Sequence, residues 1–91
     1  MKLEWPLICA ILSYVEAQDG EGPYDVPKEL GDYTEVQIHS HIHMCYEAHL
    51  FEMCNAKIGG IEIPHRYSNI GELTYKGHQE LARLRHYRVK P

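Results

Sequence analysis

The chain has 91 residues, 44% of them hydrophobic, and a formal net charge of −4. A chain this short makes one small domain that buries roughly 60–65% of its unfolded surface, which leaves one core and little room for a deep substrate cleft. Three cysteines, an odd number, argue against a disulfide framework and for a reduced, cytoplasmic setting.

Leu3, Leu7, Ile8, Ile11, Leu12 and Val15 recur at helical spacing and predict an amphipathic helix over about residues 3–17. Pro6 falls in its first turn, where proline is tolerated. The apolar run Trp5–Val15 is too short to cross a bilayer, has Glu4 ahead of it, and lacks a small-residue cleavage site after it. It reads as a core helix, with no role for a membrane. "QDGEGP" at 18–23 breaks the helix, and "YDVPKEL" at 24–30 suits a strand of two or three residues followed by one helical turn from Pro27.

Thr34 is a plausible N-cap for a second long helix running to about Ala48, with Glu35 in its first turn. Ile38, Ile42, Cys45, Tyr46 and His49 share its inward face. "LFEMCNAKI" at 50–58 is β-like, Gly59-Gly60 signals a hairpin, and "IEI" follows it. "PHRYSNIG" at 64–71 reads as loop. Leu73, Gly77, Leu81 and Leu84 mark a last helix over about 75–87, with Arg83 and Arg85 near its C-terminal end. The order predicts a single α+β domain over residues 1–91: a winged helix-turn-helix with three main helices and a β-hairpin wing. Its core is expected to include Leu7, Ile11, Ile38, Ile42, Leu50, Leu81 and Leu84.

Two blocks, "QIHSHIHMCYEAHLFEM" and "ELTYKGHQELARLR", carry a resemblance. They resemble a family of small prophage-type winged-helix proteins, a domain of unknown function. Its pattern is a helix ending "E-I-x-x-H-h-x-h-L-x-E-A-G-L-I", a variable wing, and "L-T-x-x-G-H-x-x-L" opening the last helix. Ile38, His41, Ile42, Cys45, Glu47, Ala48 and Leu50 fit the first block; Leu73, Thr74, Gly77, His78 and Leu81 fit the second. The family's glycine after "E-A" is His49 here, so the turn into the wing is expected to differ. The resemblance implies the fold and a phage context, and no activity.

Residues 38–54 hold four of the seven histidines and two of the three cysteines, which raises the question of metal or nucleophile chemistry. At about 100° per residue, with His39 at 0°, His43 falls at about 40° while His41, Cys45 and His49 fall at about 200°, 240° and 280°. Four ligands cannot converge from one helix across that split, and Cys45 and Cys54 are too far apart for a zinc pair. The expectation is no structural metal and no cofactor, although His39 and His43 form an i,i+4 pair able to hold an adventitious ion. Cys45 and His49 have the spacing of a nucleophile pair but face inward on this reading, and no other catalytic motif is present, so no enzyme is expected.

Residues 1–64 carry eleven acids against three bases, a balance of −8, whereas residues 65–91 carry two acids and six bases, a balance of +4. The outward face of the long helix is expected to present Gln37, Ser40, His41, Met44, Glu47 and Ala48. A winged helix ordinarily lays this helix in the major groove, where Gln37 and Ser40 suit base edges. Yet no Lys or Arg occurs from Glu29 through Ala56, and phosphate contacts by such residues supply most DNA affinity. Glu35 and Glu47 sit there instead, with the bases Lys57 and Arg66 to one side. The first reading is therefore a non-catalytic module that binds a basic host protein or nucleoprotein complex, as inhibitors of host defence do, anti-CRISPR proteins among them. The second is a phage or prophage transcriptional regulator that binds duplex DNA. Either partner would engage Glu35, Gln37, Ser40, His41, Met44, Glu47, Lys57 and Arg66.

Overall fold

The structure, a computed structural model, describes residues 3–53 and 66–89, the last three by backbone only. Helix α1 spans Trp5–Glu16, strand β1 Tyr24–Asp25, helix α2 Glu35–Glu47, strand β2 Asn69–Ile70 and helix α3 Tyr75–Val89. The class is α+β: three helices around one core, with a small antiparallel sheet at the edge.

α1 begins two residues later than its hydrophobic spacing predicts, because Glu4 is extended (φ −111°, ψ 101°) and serves as N-cap. Its side chain caps nothing, and Pro6 follows within the first turn. Leu7, Ile8, Cys9, Ile11, Leu12 and Val15 are buried, the stripe that the spacing predicts. α2 starts at the expected cap. The Thr34 hydroxyl accepts the Gln37 N–H at 3.2 Å and the Gln37 side chain accepts the Thr34 N–H at 2.8 Å, a reciprocal capping box. Its far end closes with His49 N–H donating to Tyr46 O and Leu50 N–H to Cys45 O, the paired bonds of a Schellman turn. That turn needs a left-handed residue, and His49 supplies it at φ +61°. The expectation of a different turn is thus corrected: histidine takes the conformation that glycine would, against the steric preference of its Cβ.

The second sequence block explains how α3 docks. Thr74 N–H donates to Leu50 O at 3.0 Å, the Thr74 hydroxyl donates to His49 O at 2.7 Å, and Gly77 N–H donates to that hydroxyl at 2.9 Å. One threonine therefore caps α3 and ties it to the end of α2. Gly77 lies so close to this junction that a Cβ would stand 2.3 Å from Leu50 O.

β1 pairs with β2 in the register Tyr24↔Ile70 and Asp25↔Asn69. Residues 69–70, expected as loop, are thus a strand, drawn in because Ile70 is fully buried. Phe51 bridges Leu73 antiparallel, and Glu52 N–H donates to Glu72 O at 2.7 Å, so the chain leaving α2 and the chain entering α3 run side by side. The helical turn expected from Pro27 does not form. Residues 26–30 are irregular, and a turn over Leu30–Tyr33 leads straight into α2. Pro27 is buried and Val26 and Leu30 pack on the core from irregular chain, so the segment buries its apolar residues without the cost of nucleating one isolated turn. The expected hairpin turn at Gly59-Gly60 lies outside the described residues.

All seven expected core residues are buried, in one cluster that Phe51, Tyr46 and Ile70 complete. Tyr46 meets Phe51 edge-on at 5.2 Å and stacks on Tyr67 at 5.1 Å. No helix among the described residues is long and apolar enough to cross a membrane.

Candidate functional site

α2 is the element around which the candidate surface is built, and its histidines are mostly structural. His41, expected on the outward face, is 0% exposed. Its Nδ1–H donates to Gln37 O at 2.7 Å and its Nε2 accepts the Glu4 N–H at 2.9 Å. It is thereby removed from any partner surface, because the N-terminal turn of α1 lies on top of it. His39, 3% exposed, accepts the Tyr67 N–H on Nδ1 at 3.0 Å, and its Nε2 faces Glu35 at 3.8 Å. Burial lowers its pKa below the ordinary histidine value, the Glu35 carboxylate opposes that, and Arg66 adds to it. His43 is half-buried between the Tyr67 hydroxyl on Nδ1, at 2.7 Å, and Glu47 beyond Nε2, at 3.4 Å. Burial and then Glu47 raise the Tyr67 hydroxyl pKa, and this hydroxyl shares its hydrogen bond with His43 Nδ1.

Two further expectations change. In the i,i+4 pair His39/His43 the Nδ1 atoms of both rings are bonded to Tyr67, and each Nε2 faces a glutamate, Glu35 or Glu47. Cys45 is buried as expected, but His49 is exposed, so the two do not share an inward face. Burial, with a smaller push from Glu80, raises the Cys45 thiol to about 12, which holds it protonated. Among the described residues no three His, Cys, Asp or Glu side chains are grouped to hold a metal.

Of the other expected surface residues, Gln37 is folded back into the capping box, and Ser40 and Met44 are half-buried. Glu35 and Glu47 are exposed. Glu35 pairs with Arg66 at 3.3 Å, so Arg66 is already neutralised within the molecule. Lys57 lies outside the described residues. The outward stripe of α2 at i, i+4, i+7 and i+11 consists of Val36, Ser40, His43 and Glu47, and Val36 is 49% exposed.

The sequence reading missed the surface beside this stripe. Met44, Cys45 and Ala48 of α2, Leu3, Trp5 and Ile8 at the start of α1, and Lys76 and Glu80 of α3 line an apolar groove of about 290 Å³. Leu3 is 40% exposed and Trp5 49%. Arg83 packs over the Trp5 ring at 5.6 Å while its Nε–H donates to Glu80 at 3.0 Å, which also lowers the Glu80 pKa. The available signal was the position of Trp5 and Leu3, bulky apolar residues flanking an acid at a helix start.

The family model described as hypothetical protein (DUF2513) matches residues 2–89. The chain belongs to the DUF2513 family. Both motif blocks of this DUF2513 chain fall inside the matched span, so the Thr74 junction and the His41 contact are embedded in the family's domain. No curated protein and no solved structure matches the chain.

Proposed function

We propose that the chain is a winged-helix protein-interaction module of phage or prophage origin that docks a basic host protein or nucleoprotein complex. In that role it blocks host defence or nucleic-acid machinery in the cytoplasm, in the manner of anti-CRISPR proteins, without catalysis. The winged-helix reading is supported by the order of pairing: β1 lies beside the returning arm at 69–70, which continues beside the outgoing arm at 51–52. The irregular segment 26–33, with its turn at Leu30–Tyr33, stands where the first helix of the helix-turn-helix pair would lie.

The observation that carries the function is the charge of α2. Its outward stripe offers Val36, Ser40, His43 and Glu47 and no cation. Arg66 is paired with Glu35, Arg83 with Glu80 and Arg85 with Glu16. A helix so equipped has nothing with which to replace phosphate counterions. The adjoining groove with Trp5 and Met44 offers apolar contact of the kind enriched in protein interfaces.

Fluorescence anisotropy on a mixed-sequence duplex tests the choice. At physiological salt the wild-type protein should bind more weakly than about 10⁻⁴ M, the loose end of non-specific binding. Glu47→Lys with Ser40→Lys should tighten it by adding phosphate contacts. In affinity capture from host lysate, the same double variant and Val36→Asp should lose the proteins that the wild type retains. Micromolar duplex binding by the wild type would establish the DNA-binding regulator instead.

A further inference from the structure

We propose that His39 and His41 form a proton-operated latch on α2 that pins the start of α1 and the Arg66–Tyr67 segment at neutral pH and releases both on acidification. The motif "IHSHIH" thus acquires a purpose that neither metal binding nor surface recognition accounts for.

The argument rests on which atoms accept. Both imidazoles lie in the interior, and each receives a backbone N–H from a distant part of the chain: Glu4 N–H on His41 Nε2 and Tyr67 N–H on His39 Nδ1. An imidazolium has no lone pair on either nitrogen, so it cannot accept. Protonation does not weaken these two bonds; it sets N–H against N–H. The second nitrogen of His41 already donates to Gln37 O, which fixes the neutral tautomer.

The groups around each ring set the direction of the switch. His39 faces Glu35 on its own helix, Arg66 and Tyr67 from the neighbouring segment, and Asp25 and Lys28 across a polar cleft from the β1 side. Desolvation, with Arg66 adding to it, outweighs the Glu35 attraction and holds the pKa of this ring below the ordinary histidine value. His41 faces Glu4 at the cap of α1, and among the described residues no carboxylate lies within ion-pair distance of it. A charge placed there would be buried without compensation, and the economical relief is for the turn that covers it to lift away.

That turn carries Leu3 and Trp5, one wall of the apolar groove. Opening the latch therefore dismantles the groove, while α2 and α3 remain joined through Thr74 and Leu50. The latch regulates the proposed docking surface, but its test needs no partner, so the two readings fail separately.

Trp5 is the only tryptophan in the chain, so its emission reports on the latch directly. The full-length protein is titrated from about pH 8 to about pH 5, the range in which histidine changes charge. Trp5 emission should shift to the red. Amide exchange at Glu4 and Tyr67, relative to intrinsic rates, should accelerate by up to roughly tenfold per pH unit for each proton taken up. The far-UV helical signal should persist. His41→Gln places an amide oxygen where Nε2 sits and His39→Asn places one where Nδ1 sits; both accept an N–H and neither titrates, so the double variant should stay closed throughout. Flat emission and exchange in the wild type, the same transition in the double variant, or loss of the whole fold in one step would overturn the proposal. Should the double variant not fold, ¹⁵N shifts of the wild-type rings decide. His41 Nε2 and His39 Nδ1 should be unprotonated at neutral pH and gain protons where Trp5 responds; a Trp5 change without either protonation refutes the latch.

Discussion

His49 sits in a conformation that costs an L-residue about 1–2 kcal/mol, because its Cβ crowds the following carbonyl. The Schellman bonds around it and the Thr74 hydroxyl on its carbonyl over-determine the turn and hold it there. His49→Gly should therefore stabilise the protein by about 1 kcal/mol, part of the relief being offset by glycine's extra freedom when unfolded; urea denaturation would measure it. His39 makes stability depend on pH with a definite sign. The unfolded imidazole takes a proton near about 6.5, and the buried one takes it only at lower pH. Between those values only the unfolded state holds the extra proton. The contribution is full above about 6.5, falls as pH drops, and is gone below the folded value. The urea midpoint should fall between pH 7.5 and about 5.5 in the wild type, and by less in His39→Asn. The burial of His41 was missed, since it was expected on the outward face. The helical angle placed it beside Cys45, on the apolar side. What covers it is a backbone N–H 37 positions away in sequence, which no local spacing reveals.

The helices were legible because each has its own signals: the stripe of α1, the cap and periodicity of α2, and the Leu81 and Leu84 pair of α3. Ile42, at 0% exposure in the middle of α2, tests that reading. Ile42→Ala should cost about 2–5 kcal/mol in chemical denaturation. The short strands were less legible, since two-residue strands carry no period. Asn69–Ile70 became a strand through its partner at Tyr24–Asp25 rather than through its own composition. The turn at Pro27 was misread because the apolar residues around it, Val26 and Leu30, reach the core from irregular chain, and one turn is costly to nucleate. Gly77 brings two effects into opposition. Alanine is the better helix former by about 1 kcal/mol, yet its methyl would lie 2.3 Å from Leu50 O, a backbone atom held by Thr74. The clash should win: Gly77→Ala should lower stability by about 1–3 kcal/mol, with a fall in melting temperature as the readout.

At the scale of the whole molecule, the charge division seen in the sequence is partly cancelled by folding. Arg85 of α3 reaches Glu16 at the end of α1 at 2.7 Å, and Arg66 reaches Glu35 of α2, so bases from the C-terminal half neutralise acids from the N-terminal half. The surface of α2 was only partly legible for that reason. Its lack of cations was plain, but that Glu35 would be engaged by Arg66 and Gln37 by Thr34 depended on folding. The candidate groove depended on it still more, because three helices contribute its walls. The side-by-side arms at Phe51–Glu52 and Glu72–Leu73 have a separate consequence. They hold the chain that leaves α2 against the chain that enters α3 at one point, beside the Thr74 junction. Inserting a Gly-Ser stretch at the Leu50–Phe51 step should unfold the protein, seen as loss of the urea transition, because it separates the Schellman turn from the bridge to Leu73. The exit of α2 and the entry of α3 therefore move as one mechanical unit, and a displacement of either helix is passed to the other through backbone rather than side chains.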